Sequence, residues 1–174
     1  MDTITGERWK KHKMKSESKS AGLFVGKFAP FHKGHQHVVE TALDEVDELL
    51  VFVYDCPETT SIPLSTRARW IRQLYPSAEV VEAWDGPTET GDTERINKLN
   101  EYYIIDLLDG RRVTHFFSSE PYGEHMGVAL DAIDRRLDRT RNANATSGTK
   151  VRADPLENVA DVDPLVYRDM VSNI

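Results

Sequence analysis

The chain has 174 residues, enough for one compact domain with a real core and too few for two. Apolar residues make up 39% and charged residues 29%, and no apolar run approaches the roughly 18 residues that span a bilayer, so fibrous, wholly disordered and helical membrane classes are excluded. The net charge is −7, but residues 1–20 carry Arg8, Lys10, Lys11, Lys13, Lys15 and Lys19 against Asp2, Glu7 and Glu17, a balance of +3 that leaves −10 for the remainder; so acidic a body is a poor partner for a long nucleic acid, whose phosphates demand cations.

Residues 1–20 read as a solvated, disordered basic tail, and residues 21–174 as the domain. No apolar segment follows the tail's charges, so it is no secretory signal. Cys56 has no second cysteine to pair with, which fits a reducing compartment, and the expectation is a cytoplasmic protein without membrane contact. In that setting the sequon Asn144-Ala145-Thr146 is a chance match.

Order should begin at Ala21. Leu23-Phe24-Val25, closed by Gly26, has the form of a buried strand. His35 to Val46 is helical, with Val38, Val39, Ala42, Leu43 and Val46 on one stripe. Leu49 to Tyr54 is a second strand; Ser65 or Thr66 can cap a helix that runs to Tyr75 and stops before Pro76. Glu79 to Ala83 is a third strand, and Asp85 to Asp92 a Gly- and Pro-bearing loop. The next helix, Thr93 to Leu108, is expected to align Ile96, Leu99, Tyr103 and Leu107 on one side. Val113 to Phe117 reads as a fourth strand, Ala129 to Ile133 as a fifth, and Val159 to Met170 as a short closing helix. Strands alternating with helices at these spacings predict right-handed crossovers and a doubly wound α/β domain with a parallel sheet. Its ligands belong beyond the carboxyl ends of the strands.

The first such connection, Gly26-Lys27-Phe28-Ala29-Pro30-Phe31-His32-Lys33-Gly34-His35, leads straight into an amphipathic helix, whose first N–H groups favour a phosphate. Gly26 permits close backbone approach and Gly34 leaves space beside the histidines. His32 and His35, three apart, can face the same way and donate to phosphate oxygens, and Lys27 adds a fixed charge. Two histidines in a loop can also be incidental. A zinc site needs three or four ligands, and no supporting cluster is visible, so no protein-held metal is expected. Neither G-x-G-x-x-G nor a P-loop pattern occurs.

The string Gly-Lys-Phe-x-Pro-x-His-x-Gly-His resembles the signature of the HxGH nucleotidyltransferase superfamily. In full it is similar to nicotinamide-nucleotide (NMN) adenylyltransferases of archaeal type and to the adenylyltransferase domain of bifunctional bacterial proteins. Val46-Asp47-Glu48-Leu49 is similar to the same subgroup, and Ser147-Gly148-Thr149-Lys150-Val151-Arg152 resembles the family's second motif, Ser-Gly-Thr-x-(Ile/Val)-Arg. Read without the family, Ser147 is a helix cap whose first turn presents hydroxyls, N–H groups and Arg152 to an anion. Pro63-Leu64-Ser65-Thr66-Arg67-Ala68-Arg69 resembles the Pro-then-Arg segment, with Arg69 at the matching position, and Ser118-Ser119-Glu120-Pro121 occupies the place of a nucleotide-contacting loop.

The resemblance implies a Rossmann-like single-domain nucleotidyltransferase that transfers AMP from ATP to the phosphate of NMN, giving NAD and pyrophosphate. It implies Mg²⁺ carried mainly on the ATP phosphates, and self-association. His32, His35, Lys27 and Arg152 are the implied catalytic contacts. Gly26, Lys27, Phe28, Gly34, His35, Ser118, Ser147, Thr149 and Arg152 would hold ATP, and Arg69 the acceptor phosphate. Where relatives stack a Trp on the nicotinamide this chain offers Trp84, Tyr102 or Tyr103, with Trp84 and Tyr102 preferred, and after the second strand Tyr54-Asp55-Cys56-Pro57 departs from the archaeal pattern. Both departures bear on the acceptor: another phosphorylated acceptor, or a regulatory nucleotide binder of the same fold, is the alternative reading.

Overall fold

In a computed structural model, which describes residues 19–119, 123–137 and 146–172, strands and helices alternate along the chain. The strands are β1 (Ala21–Gly26), β2 (Glu48–Tyr54), β3 (Glu79–Ala83), β4 (His115–Ser118) and β5 (Ile133–Arg136). The helices are α1 (Lys33–Glu45), α2 (Leu64–Leu74), α3 (Glu94–Leu108), α4 (Gly123–Ala129), α5 (Gly148–Ala153) and α6 (Pro164–Val171). Every strand pair is parallel, in the order β3-β2-β1-β4-β5. β1 lies at the centre, and the chain winds outward from it in both directions. The doubly wound single-domain expectation is met. Residues 1–18, Glu120, Pro121, Asn144 and Ala145 lie outside the described residues, and with them all but the end of the tail, part of the loop after β4 and most of the sequon. At that end Ser20, expected in the disordered tail, is hydrogen-bonded to Asp47 at 2.8 Å.

The central strands read as unbroken apolar runs because both of their faces are covered. Successive side chains point to opposite sides, so Phe24, Val51, Val53 and Phe117 enter one core, with α1, α2, α5 and α6 supplying Val39, Ile71, Val151 and Val166. Leu23, Val25, Leu50, Phe52 and Phe116 enter the other, closed by Ile104 and Leu108 of α3 and Met126 of α4. The two cores share the sheet and nothing else. That division recurs at the site.

Several boundaries differ from expectation. Pro63, not Ser65 or Thr66, is the N-cap of α2, and it makes no side-chain cap bond; its fixed φ starts the helix at Leu64. The stretch expected to begin a strand at Ala129 is the end of α4, and β5 starts at Ile133. A helix of seven residues with two glycines leaves too little periodicity to read. On α3 the buried line is Ile96, Ile104 and Leu108 together with Glu101, whereas Leu99 faces outward. The closing helix divides into a 3₁₀ turn (Val159–Asp161) and α6, which Asp163 caps and Pro164 opens. Among the described residues no helix is long and apolar enough to cross a membrane.

Candidate active site

The β1–α1 connection is built around its two histidines. His32 is the N-cap of α1; its Nδ1 accepts the His35 N–H at 3.4 Å, and His35 Nδ1 accepts the His32 N–H at 3.3 Å. This is a capping box in which imidazoles stand where a hydroxyl and a carboxylate usually do. The rings stack with centroids 3.6 Å apart. With both Nδ1 atoms accepting, each neutral ring carries its proton on Nε2, which is therefore a donor.

Phe28 adopts a left-handed backbone (φ 48°), an uncommon choice for a bulky residue that costs about 1–3 kcal/mol, and its buried ring meets His35 edge-on at 4.9 Å. Phe31 stacks on the same imidazole at 5.8 Å. Gly26 is required for a reason other than close approach to ligand: a Cβ there would lie 2.9 Å from the Phe28 ring. A Cβ at Gly34 would press the His32 ring at 3.1 Å.

Two distant segments complete this wall. Ser147 caps α5 by accepting the Lys150 N–H at 3.2 Å. Arg152 donates to the Ala29 carbonyl, which ties α5 to the β1–α1 loop across 123 residues of chain. Gly148 allows the approach, since a Cβ would sit 2.9 Å from that carbonyl oxygen. Lys27 Nζ lies 2.9 Å from Glu58 and 2.8 Å from the Thr59 hydroxyl, both in the loop after β2.

Arg67 was overlooked by sequence reasoning in favour of Arg69. Its buried guanidinium donates to the carbonyls of Ile62 at 3.1 Å, Tyr54 at 2.7 Å and Lys27, pinning the loops after β1 and β2 together, and burial draws its pKa below the ordinary value. Arg69, two residues on, emerges elsewhere on the helix and pairs with Asp169 of α6 at 2.7 Å. It lines no part of the cleft described next.

A cleft of about 800 Å³ runs along the carboxyl edge of the sheet. One wall carries Gly26, Lys27, Phe28, His32, His35, Ser147, Thr149 and Arg152, from elements that cover the first core. The other carries Asn97 and Asn100 of α3 and His125 and Met126 of α4, which cover the second core, with Ser119 after β4 and Glu89 to Asp92 after β3 completing the rim. The expected constellation thus converges, and the second wall is what sequence reasoning missed. Asn97 and Asn100, three apart at the start of α3, were a readable signal; His125 on its short helix was not.

Four further expectations fall outside the lining. Gly34 sits behind the His32 ring, and Ser118 is buried with its hydroxyl against Gly123 of α4. Trp84 is 52% exposed and Tyr102 67% exposed, on the outer side; Tyr103 turns inward instead, stacking on Tyr54 at 6.0 Å and donating to the Trp84 carbonyl at 2.6 Å.

Behind the second wall, the buried Glu101 receives Lys98 Nζ at 2.7 Å and lies 3.0 Å from His125 Nδ1. Burial pushes its carboxyl upward, but the bonds from Lys98 and His125 outweigh it, leaving the pKa below the ordinary value. Among the described residues no three His, Cys, Asp or Glu side chains group to hold a metal.

A sequence model of the family described as cytidylyltransferase-like matches residues 23–154. The chain is 33% identical over 90 residues to a nicotinamide-nucleotide adenylyltransferase of Pyrococcus furiosus, across 51% of this chain and 40% of the relative. It is 42% identical over 43 residues to the protein of that name from Saccharolobus solfataricus, a quarter (25%) of each chain. The chain therefore aligns with less than half the length of these relatives. Among solved structures, NadR protein in complex with NAD and AMP-PNP superposes with a TM-score of 0.61 at 19% identity, over 85% of this chain and 46% of that one. A bifunctional NMN adenylyltransferase/ADP ribose pyrophosphatase from Francisella tularensis gives 0.63 at 15% identity, over 89% and 49%. At such identities the likeness is one of fold.

Proposed function

The chain belongs to the cytidylyltransferase-like family, and from that membership we propose that it transfers AMP from ATP to the phosphate of NMN, releasing pyrophosphate and forming NAD. The observation that carries the reading is the docking of α5 on the β1–α1 loop through Arg152 and Ala29, which brings Lys27, His32, His35 and Arg152 to one wall. The names borne by the aligned archaeal relatives favour NMN as acceptor.

The reaction asks little of covalent chemistry. The acceptor phosphomonoester, with a second pKa near 6, is already a dianion at neutral pH, so it attacks the α-phosphorus without a general base. The protein's task is to align two mutually repelling anions and to meet charge as it develops. His32 and His35 donate through Nε2 to the phosphate oxygens. Lys27 and Arg152 face the pyrophosphate portion. Arg67 takes no part in contact and instead holds the Lys27 carbonyl. The metal is that of the substrate, MgATP, which needs few protein ligands.

The test is pyrophosphate release and NAD formation by purified protein with MgATP, with NMN beside other phosphorylated acceptors. NMN-dependent release that collapses in His35→Ala establishes the reading. Release with a different acceptor alone reassigns the substrate, and ATP or NAD binding without turnover makes the chain a regulatory binder.

A further inference from the structure

A second hollow, of about 490 Å³, lies between α3 and α4 and shares Asp92, Asn97 and His125 with the main cleft. His125 stands where the two meet. Its environment dictates what it can offer a ligand. Nδ1 faces the Glu101 carboxylate, an acceptor with no proton to give, so Nδ1 carries the hydrogen. Lys98 donates to the same carboxylate at 2.7 Å. A neutral ring protonated on Nδ1 presents a lone pair at Nε2. No hydrogen-bond partner for that atom occurs among the described residues.

The two walls are thus opposite in kind. The first presents donors and cations suited to phosphates. At the meeting of cleft and hollow, the second presents His125 Nε2, an acceptor in the tautomer that donates from Nδ1 to Glu101. We propose that His125 is a specificity-determining residue that accepts an N–H from the carboxamide of the acceptor's ring, and that Glu101 is the positioning residue that sets its tautomer. An uncharged carboxamide satisfies the lone pair. A ring carboxylate at the same place sets oxygen lone pairs against a nitrogen lone pair, and this mismatch excludes it. The proposal rests on the NMN reading above and adds to it a preference for the amide over the acid, with the residues that impose it.

The experiment compares MgATP turnover and direct binding for two acceptors, NMN and its 3-carboxylate counterpart, nicotinic acid mononucleotide, in wild type and three variants. His125→Phe keeps the bulk and removes the acceptor atom; it should raise the KM for NMN about 10-fold or more with little change in kcat, leaving the carboxylate acceptor unaffected. His125→Gln, whose carbonyl oxygen can reach the Nε2 position, should restore the amide preference. Glu101→Gln releases Nδ1 from its obligation to donate, so Nε2 can become the donor, and the preference should move toward the carboxylate. Unchanged ATP KM and thermal melts in all three guard against a merely structural effect. Turnover with both acceptors, at a ratio that none of the variants shifts, overturns the proposal and leaves the adenylyltransferase reading standing. Absence of binding and turnover with either acceptor in the wild type overturns both.

Discussion

The two walls of the cleft were written into the chain in different ways. On the α1/α5 wall, function and local structure use the same residues: the histidines that would face phosphate also cap α1, and Ser147, which opens the second motif, caps α5. Such residues leave short, dense patterns. On the α3/α4 wall, the side chains are ordinary members of a helix surface, and only the packing of α3 beside α4 turns Asn97, Asn100 and His125 toward a common space. A motif marks the place where chemistry constrains consecutive residues. A wall assembled from two helices has no need of one.

Substitutions can break this contrast. His35→Ala removes the proposed phosphate donor together with one half of the cap, and should lower kcat about 10²–10³-fold, measured as pyrophosphate release. Loss of activity without that drop in kcat would deny the first wall its role. Arg67→Met leaves the carbonyls of Lys27, Tyr54 and Ile62 without their donor in a buried place, and should cost about 3 kcal/mol in denaturant unfolding, well beyond any surface arginine. Gly148→Ala forces a Cβ to within 2.9 Å of the Ala29 oxygen, so α5 must shift and carry Arg152 with it. A roughly 10-fold fall in kcat/KM for ATP with a small change in melting temperature is expected, since displacing a positioning element by an ångström can cost that much or more.

Effects on the second wall should be gentler and confined to the acceptor. Asn97 Nδ2 donates to Asp92 at 3.0 Å and steadies the loop after β3; Asn97→Ala should raise the acceptor KM about threefold to tenfold while the ATP KM stays put. A matching rise in both would mean that the walls do not divide the substrates between them. The smallest effect is assigned to Arg69→Met. Its partner Asp169 has burial pushing its carboxyl upward, outweighed by bonds from Trp70, Arg168 and Arg69, so its pKa lies below the ordinary value. The resulting stability exists at neutral pH and disappears as pH falls through the lowered pKa. Because Arg69 is half-exposed and Trp70 remains, the variant should lose at most about 1 kcal/mol at pH 7, less in acid, and keep its turnover.

Much of the architecture was determined by the sequence itself. Apolar runs bounded by Gly26 and Asp55, and helical stripes such as Val38, Val39 and Ala42, repeat at intervals that admit one kind of sheet, and a parallel sheet puts its ligands at one edge. The capped turn at Ser147 could likewise be read, because a cap is a relation between residues three apart, whereas His32, read only as a phosphate contact before a helix expected from His35, is also the cap of a helix that starts at Lys33. The tertiary structure decided the rest. Arg67 and Arg69 are nearly equivalent in sequence, yet about 200° of helical rotation sends one beneath the loops and the other to Asp169. Tyr102 and Tyr103 differ in the same manner. Glu101 breaks the apolar pattern of α3, and what compensates for its burial is Lys98, three residues before it, together with a histidine 24 residues away on a helix too short to announce itself. Periodicity reports which face of an element is covered; it carries no information about which polar groups on two such faces will meet.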